Sequence, residues 1–278
     1  MLEPHVLDQF YEEGFITEVV RPLSSGKEAT IHLCRAGEFA PGREFVALKA
    51  YRARDRRDFR ATHAYTAGRV VRGRPARAIA TKTRFGREVE DALWQDHEWE
   101  TLRAMHAARV AVPEPIVTFG SAILMEYVGD EDGSAPQLKD LAPDADEARE
   151  LFAQTVREVE RMLFHNVVHG DLSAFNLLVW EDRIRVIDLP QAVDPRFNPN
   201  AWDLLERDLR NVCTWFARHG VDSDPAGMAS AGTYSYQPTP RPGIVATPNT
   251  IARPPVVVIP RHRSHYDRGL IIDLPAGD

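Results

Sequence analysis

The stretch HGDLSAFNLLVWEDRIRVIDLPQ, residues 169–191, places three polar side chains beside short apolar runs. Asn176 follows Asp171 by five residues, and Asp188 follows Asn176 by twelve. NLLVW and RIRVIDL are typical of two strands joined at residues 181–182, and such a hairpin would bring the three polar side chains together. A single acidic loop residue usually only forms a turn. This combination is rare by chance, so it indicates a functional site.

These three residues suit the transfer of the γ-phosphoryl group of ATP. A carboxylate at Asp171 can orient the attacking oxygen and accept its proton. Asn176 and Asp188 offer the oxygen ligands that Mg²⁺ prefers, and Mn²⁺ accepts the same kind of ligand. The stretch therefore predicts a site for ATP and a divalent metal, with Asp171 as the catalytic residue.

The N-terminal half supplies two further charges for this chemistry. Lys49 follows the apolar run FVAL and resembles the strand lysine of V-A-I-K, which contacts ATP phosphates in protein kinases. Glu98 lies in a segment of helical periodicity, residues 89–108, and could pair with the lysine. Taken alone, Lys49 could be a surface lysine and Glu98 a solvated helix residue. Their order along the chain, before the three polar residues, is that of protein kinases and favours the functional interpretation.

The run LMEYVG, residues 124–129, falls where the two lobes of a kinase join. Backbone groups around Glu126 and Val128 would then hydrogen-bond the adenine of ATP, with the Met125 side chain behind it. The alternative is an ordinary strand end, which the run alone does not exclude.

The run SSGKEAT, residues 24–30, points to a family. It does not match the G-x-G-x-x-G loop of ordinary protein kinases, but it closely resembles the S-T-G-K-E-A loop of the RIO family of atypical serine/threonine kinases. HGDLSAFNLLV, VIDLPQAV and NAWDLLERDLRNV resemble the same family, so that the likeness spans residues 15–220. By this resemblance the chain is identified as a bacterial member of the family, most similar to the first RIO subfamily.

The resemblance implies an α+β, two-lobed protein-kinase-like fold, with a small β-rich N-lobe and a mainly helical C-lobe. The N-lobe would comprise residues 1–125, with an N-terminal helix and a basic insertion at 52–87, and the C-lobe residues 126–220. Residues 221–278 hold 9 of the 20 prolines, which predicts an irregular tail.

The resemblance also implies roles for individual residues. Ser24, Ser25 and Lys27 would line the phosphate loop. In this family the metal-binding Asp, here Asp188, can itself be phosphorylated, so autophosphorylation or an ATPase cycle through an aspartyl-phosphate is implied. Only about a dozen residues separate Asp188 from the helix near Trp202, which leaves no room for an activation segment or a peptide-docking subdomain. The protein acceptor, which could be the chain itself, therefore stays unnamed.

The charge distribution suggests a second kind of partner. Residues 52–87 carry 11 Arg and one Lys against two Asp, a net charge of +10 in a chain of net charge −7. Such a segment suggests contact with RNA or a ribosomal particle, and the alternative is a solvated loop. No apolar run approaches the length of a membrane span. Cys34 and Cys213 fit reduced core thiols, so we expect a cytoplasmic protein with no membrane partner.

Two other functions fit parts of this pattern. A small-molecule phosphotransferase of the aminoglycoside or choline kinase type also has HGD, an Asn five residues after the Asp, and a later Asp, but the SSGKEAT loop argues against it. A nucleotide-gated scaffold that grips RNA or an assembly particle would use the basic segment. The presence of all five kinase residues argues against such an inactive scaffold.

Overall fold

The structure, a computed structural model, describes residues 4–26, 28–52 and 84–235 and has two lobes. The N-lobe contains a five-stranded sheet with helices α1 (Pro4–Glu12) and α2 (Arg84–Ala107). The C-lobe contains a two-stranded hairpin with helices α3 (Ala145–Phe164), α4 (Ala201–Ala217) and α5 (Pro225–Ser235). The predicted α+β fold with a β-rich N-lobe and a mainly helical C-lobe is confirmed.

The N-lobe sheet is antiparallel, with the strand order β1-β2-β3-β5-β4. Its strands are β1 (Ile16–Ser25), β2 (Ala29–Ala36), β3 (Phe45–Tyr51), β4 (Pro115–Phe119) and β5 (Ala122–Glu126). The central strand β3 buries five consecutive residues, as its continuous apolar run predicts. Lys49 therefore starts from the middle of the sheet, with β2 on one side and β5 on the other.

The sequence analysis predicts no strand between the helical segment at residues 89–108 and the run LMEYVG, but the structure has β4 there. In the structure Pro115 is the first residue of β4, opposite Met125 of β5. Because β4 lies at the edge of the sheet, a proline in its first position breaks no ladder of hydrogen bonds. Phe119 at the end of β4 packs edge-on against Phe10 of α1, with 4.9 Å between ring centroids.

The predicted hairpin of the C-lobe is confirmed as β6 (Leu177–Trp180) and β7 (Arg183–Val186). Its two turn residues, Glu181 and Asp182, have φ of 49° and 58°. Two left-handed residues in a two-residue turn match the twist of a hairpin. The buried side chain of Gln154 on α3 holds this turn, since it donates to the Asp182 carbonyl at 2.8 Å and accepts from the Ile184 N–H at 3.1 Å.

Helix α5 corrects the expectation of an irregular chain from residue 221 onward. Pro225 is tolerated in the first helical turn because the N–H that it lacks would have no helical partner there. Ala229 is buried among Leu163 of α3 and Leu204 and Leu205 of α4. Small residues thus let α5 pack closely on the C-lobe, and this tertiary contact outweighs the composition of the segment.

The basic segment lies largely outside the described residues, as do residues 236–278. Its last residues enter helix α2, which begins at Arg84 rather than at residue 89. Within the described ranges, no helix is long and apolar enough to cross a bilayer.

Candidate active site

Lys49 joins the two lobes through a pair of carboxylates. Its Nζ lies 2.7 Å from Glu98 Oε1 on helix α2 and 2.6 Å from Asp188 Oδ1, just beyond β7. The Lys49 and Glu98 side chains are buried, whereas Asp188 keeps 44% of its side-chain surface exposed. The structure thus brings these three residues together, although the first and the last of them, Lys49 and Asp188, are 139 positions apart in the sequence.

The charges in this group are unequally stabilised. Burial would lower the pKa of Lys49, but the two facing carboxylates outweigh burial and raise it. Burial would raise the pKa of Asp188, but the Lys49 ammonium lowers it below its ordinary value. Glu98 is the more deeply buried of the two carboxyls. Its burial and the neighbouring charge of Asp188 outweigh the Lys49 ammonium and raise the pKa of Glu98 to about 7. Asp188 is therefore the carboxylate that stays ionised and accessible.

The loop that carries Asp171 is fixed by a histidine. His169 is buried, and its Nδ1 accepts the Asp171 N–H at 3.2 Å. Its Nε2 lies 3.0 Å from the Ile187 carbonyl, so this nitrogen carries the proton and donates. Burial lowers the pKa of His169 and keeps the ring neutral. The ring thereby links the loop of Asp171 to the residue that precedes Asp188.

Asp208 on helix α4 holds the same loop through its backbone amides. Its buried carboxylate accepts the Gly170 N–H at 2.7 Å and the Leu172 N–H at 3.0 Å, on either side of Asp171. Burial raises the pKa of Asp208 to about 7, although these two N–H groups and the neighbouring Arg207 favour its ionised form. Burial likewise raises the pKa of Asp171 above its ordinary value. A carboxyl with a raised pKa is a better proton acceptor than a surface aspartate.

Asn176 has an orientation that suits a metal ligand. Its Nδ2 donates to the Asp171 carbonyl at 2.8 Å, which leaves the amide oxygen for another partner. Asp188 has a φ of 68°, a left-handed conformation that non-glycine residues seldom adopt and that is often found at functional sites. Among the described residues, no group of three or more His, Cys, Asp or Glu side chains could hold a metal by itself. Asn176 and Asp188 fit Mg²⁺, which usually takes its other oxygens from phosphates and water.

The phosphate-loop residues are only partly described. Ser24 and Ser25 are exposed at the end of β1, and the Ser25 hydroxyl lies 2.5 Å from an Arg52 nitrogen. The same nitrogen lies 2.8 Å from the Thr30 hydroxyl on β2, so Arg52 ties together the two strands that flank the loop. Lys27 lies outside the described residues.

The surface expected to receive adenine lies next to Lys49. Because alternate residues of a strand share a face, Ala47 lies on the same side of β3 as Lys49. Ile31 and Leu33 are their partners on β2 and extend the apolar surface. Met125 packs against it, while Glu126 and Val128 follow at the passage between the lobes. The prediction that these two residues hydrogen-bond adenine through their backbone stays a prediction.

Sequence reasoning did not single out several residues of this region. They are the apolar residues Ile31, Leu33 and Ala47 and the charged pair Arg207 and Asp208. Alternation with Lys49 along β3 could have indicated Ala47. Nothing in the sequence around Asp208 shows that its carboxylate accepts a hydrogen bond from Leu172, which lies 36 positions earlier in the loop of Asp171.

Helix α2 is tied to the C-lobe at two points. Its His97 Nε2 lies 2.7 Å from the Ala192 carbonyl, in the segment after Asp188. Just beyond the helix, the Ala111 N–H donates to Glu158 of α3 at 2.9 Å, and the Ala111 carbonyl accepts the Val186 N–H at 2.7 Å. The helix that carries Glu98 is therefore anchored to the lobe that carries Asp188.

Comparison with known proteins places this geometry in a family. The family model described as the RIO domain matches residues 33–227. The RIO-type serine/threonine-protein kinase Rio1 of Haloferax volcanii is 34% identical over 77% of this chain and 68% of its own length. The protein of the same name from Thermoplasma acidophilum is 38% identical over 52% of this chain and 75% of its own length. The human serine/threonine-protein kinase RIO1 is 30% identical over 78% of this chain, but the match spans only 36% of its length.

Solved structures show the same fold. The Rio2 kinase of Chaetomium thermophilum, in a complex with ADP, Mg²⁺ and phosphoaspartate, superposes with a TM-score of 0.59 at 20% identity. The match covers 83% of this chain and 65% of that one. At this identity the likeness concerns the fold alone.

Proposed function

Because the chain belongs to the RIO family, we propose that it is an atypical protein kinase that transfers the γ-phosphoryl group of ATP to a serine or threonine hydroxyl with Mg²⁺ as cofactor. The observation that carries this proposal is the position of Lys49 Nζ, which lies 2.7 Å from Glu98 and 2.6 Å from Asp188. An ammonium held between a helix and the metal-binding loop is the arrangement that active protein kinases require.

In this mechanism each side chain has one task. Lys49, held by Glu98, would bind the phosphates of ATP, while Asn176 and Asp188 would hold the metal ion. The ion, when bound, neutralises charge that develops on the phosphates. Asp171 orients the acceptor hydroxyl and takes its proton as the new O–P bond forms and the bond to ADP breaks. The raised pKa of Asp171 supports this assignment.

The acceptor can also belong to the chain itself. The Rio2 kinase of Chaetomium thermophilum was captured with a phosphoaspartate. By analogy, a carboxylate oxygen of Asp188 would attack the γ-phosphorus and release ADP, and water would then hydrolyse the acyl phosphate. The exposed position of Asp188 and its lowered pKa support this route.

The experiment is to incubate the purified protein with Mg²⁺ and γ-labelled ATP and to follow the label. We expect label on protein that is lost in Asp171→Ala while ATP still binds, and weakened Mg²⁺-dependent binding in Asp188→Ala. Asp140→Ala is the control, because this exposed carboxylate belongs to a short 3₁₀ turn outside the site. Hydroxylamine-labile label would identify an acyl phosphate. Near-normal turnover in either site variant would refute the assignment.

RNA or a ribosomal particle is a further partner that we propose for the basic segment, residues 52–87. Its net charge of +10 supports the proposal, since such segments bind phosphates with a steep dependence on salt. Neutralising its arginines should abolish RNA binding and the salt dependence together.

We also propose a cytoplasmic location, which suits the free, buried thiols of Cys34 and Cys213. A small-molecule phosphotransferase is not favoured by the family match.

A further inference from the structure

The two sides of the candidate active site differ in their positive charge. On the nucleotide side, Lys49 faces Glu98 and Asp188. On the acceptor side, the loop HGDLSAFN, residues 169–176, contains no lysine or arginine. Phosphoryl transfer needs positive charge where the attacking oxygen meets the phosphorus, because charge spreads over the transferred group. A cation for this side must come from another element.

Arg207 of helix α4 occupies the required place. One of its guanidinium nitrogens donates a hydrogen bond to the Gly170 carbonyl and lies 4.0 Å from Asp171 Oδ1 and 3.8 Å from Asp208 Oδ1. The side chains of Arg207 and Asp171 keep 40% and 47% of their surfaces exposed, so both are open to an acceptor that reaches Asp171. The neighbouring Asp208 is almost completely buried and binds loop N–H groups instead. Arg207 thus binds a carbonyl of the loop, and the adjacent Asp208 binds two of its N–H groups.

We infer that Arg207 is an acceptor-side positioning residue that fixes the catalytic loop at Gly170 and places a positive charge beside Asp171. This role rests on the proposed kinase function. Arg207 itself neither gives nor takes a proton: the proton passes from the acceptor hydroxyl to Asp171, and the γ-phosphoryl group passes from ATP to the acceptor oxygen, which releases ADP. The guanidinium stabilises the charge that gathers between them and keeps the Asp171 carboxylate aligned.

Two substitutions separate charge from hydrogen bonding. Arg207→Lys keeps a cation that can still donate to the Gly170 carbonyl, whereas Arg207→Gln keeps a donor without charge. The matched control is Arg210→Gln on the same helix, since Arg210 is exposed and pairs with Glu206 rather than with the loop. For each variant we would measure the single-turnover rate of phosphoryl transfer, the affinity for Mg²⁺-ATP and the melting temperature.

We expect Arg207→Gln to transfer phosphate roughly tenfold to a hundredfold more slowly, the scale of a misaligned catalytic group. Its affinity for Mg²⁺-ATP and its melting temperature should stay close to those of the wild type, because Lys49 and the metal ligands are untouched. Arg207→Lys should recover most of the rate, and Arg210→Gln should match the wild type.

Other results would overturn the inference. If Arg207→Gln were as fast as Arg207→Lys, the charge would have no role. If rate, nucleotide affinity and melting temperature all fell together, the arginine would be only structural. If the wild type bound Mg²⁺-ATP but transferred no phosphate, the proposed function would fail, and the role of Arg207 with it.

Discussion

At the scale of single residues, one cation in the candidate site, Lys49, pairs with two carboxylates. Lys49 lies 2.7 Å from one carboxylate and 2.6 Å from the other, so neither Glu98 nor Asp188 has a full counter-charge. Glu98 also has a second buried oxygen, Oε2, without a well-formed hydrogen bond. Burial therefore disfavours the ionised form of Glu98 and raises its pKa to about 7, whereas the pKa of Asp188 is lowered and this carboxylate stays ionised.

This asymmetry predicts how the stability of the nucleotide-free protein depends on pH. The pKa of Glu98 is about 7 when folded, against an ordinary value of 4.5, so between these values the folded state binds more protons than the unfolded state. The free energy of unfolding should therefore fall as pH rises from about 4.5 to about 7. Asp208, whose pKa is also raised to about 7, contributes to the same fall, so Glu98→Gln should reduce the fall without abolishing it in urea unfolding measured across the window. Glu100→Gln, at an exposed position of the same helix, should leave it unchanged.

A second prediction concerns the metal ligand. Mg²⁺-ATP at about 100 times its Kd should stabilise the wild type by about 2.7 kcal/mol, which raises the melting temperature by roughly 5–10 °C. Asp188→Asn should lose the Mg²⁺-dependent part of this shift, because the amide carries no charge for the ion. Asp171→Asn should keep the shift and lose phosphoryl transfer. An equal shift in Asp188→Asn and the wild type would show that Asp188 does not bind the metal.

At the scale of elements, local signals predicted most of the fold. The apolar run FVAL predicted β3, the runs NLLVW and RIRVIDL predicted the hairpin of β6 and β7, and helical periodicity at residues 89–108 predicted most of α2. The two missed elements depend on distant contacts. Strand β4 tolerates Pro115 because it lies at a sheet edge, and α5 forms because Ala229 packs on other helices. The same reason explains why the five candidate site residues could be named from motifs, whereas Arg207 and Asp208 could not.

The hairpin that precedes Asp188 gives a prediction at this scale. Gln154→Ala removes both side-chain hydrogen bonds to the turn and leaves the buried Ile184 N–H without its partner. We expect the free energy of unfolding to fall by about 1–3 kcal/mol, the cost of an unsatisfied buried group. Arg157→Ala, at an exposed position of the same helix, should change it by less than about 0.5 kcal/mol. Equal effects would show that the turn does not need Gln154.

At the scale of the whole molecule, the ion pairs of Lys49 connect the two lobes, and the hydrophobic clusters differ in whether they extend over one lobe or both. One core cluster, with Val6, Phe10 and Val46, is confined to the N-lobe. The largest cluster runs from Met105 at the end of α2 to Phe216 of α4 and so belongs to both lobes. Helix α2 is thus packed as part of the C-lobe as much as of the sheet above it.

The anchoring of helix α2 has a consequence for inhibitor design. A compound that needs the space between helix α2 and Lys49 could bind only if this helix, which carries Glu98, moved outward. Here Ala111 is bonded on both sides, to Glu158 and to Val186, and His97 holds the loop after Asp188. We expect such compounds to find no room in this protein. Selective chemistry would instead have to address the exposed Ser24 and Ser25 of the predicted phosphate loop, where this chain departs from the glycine-rich pattern of ordinary kinases.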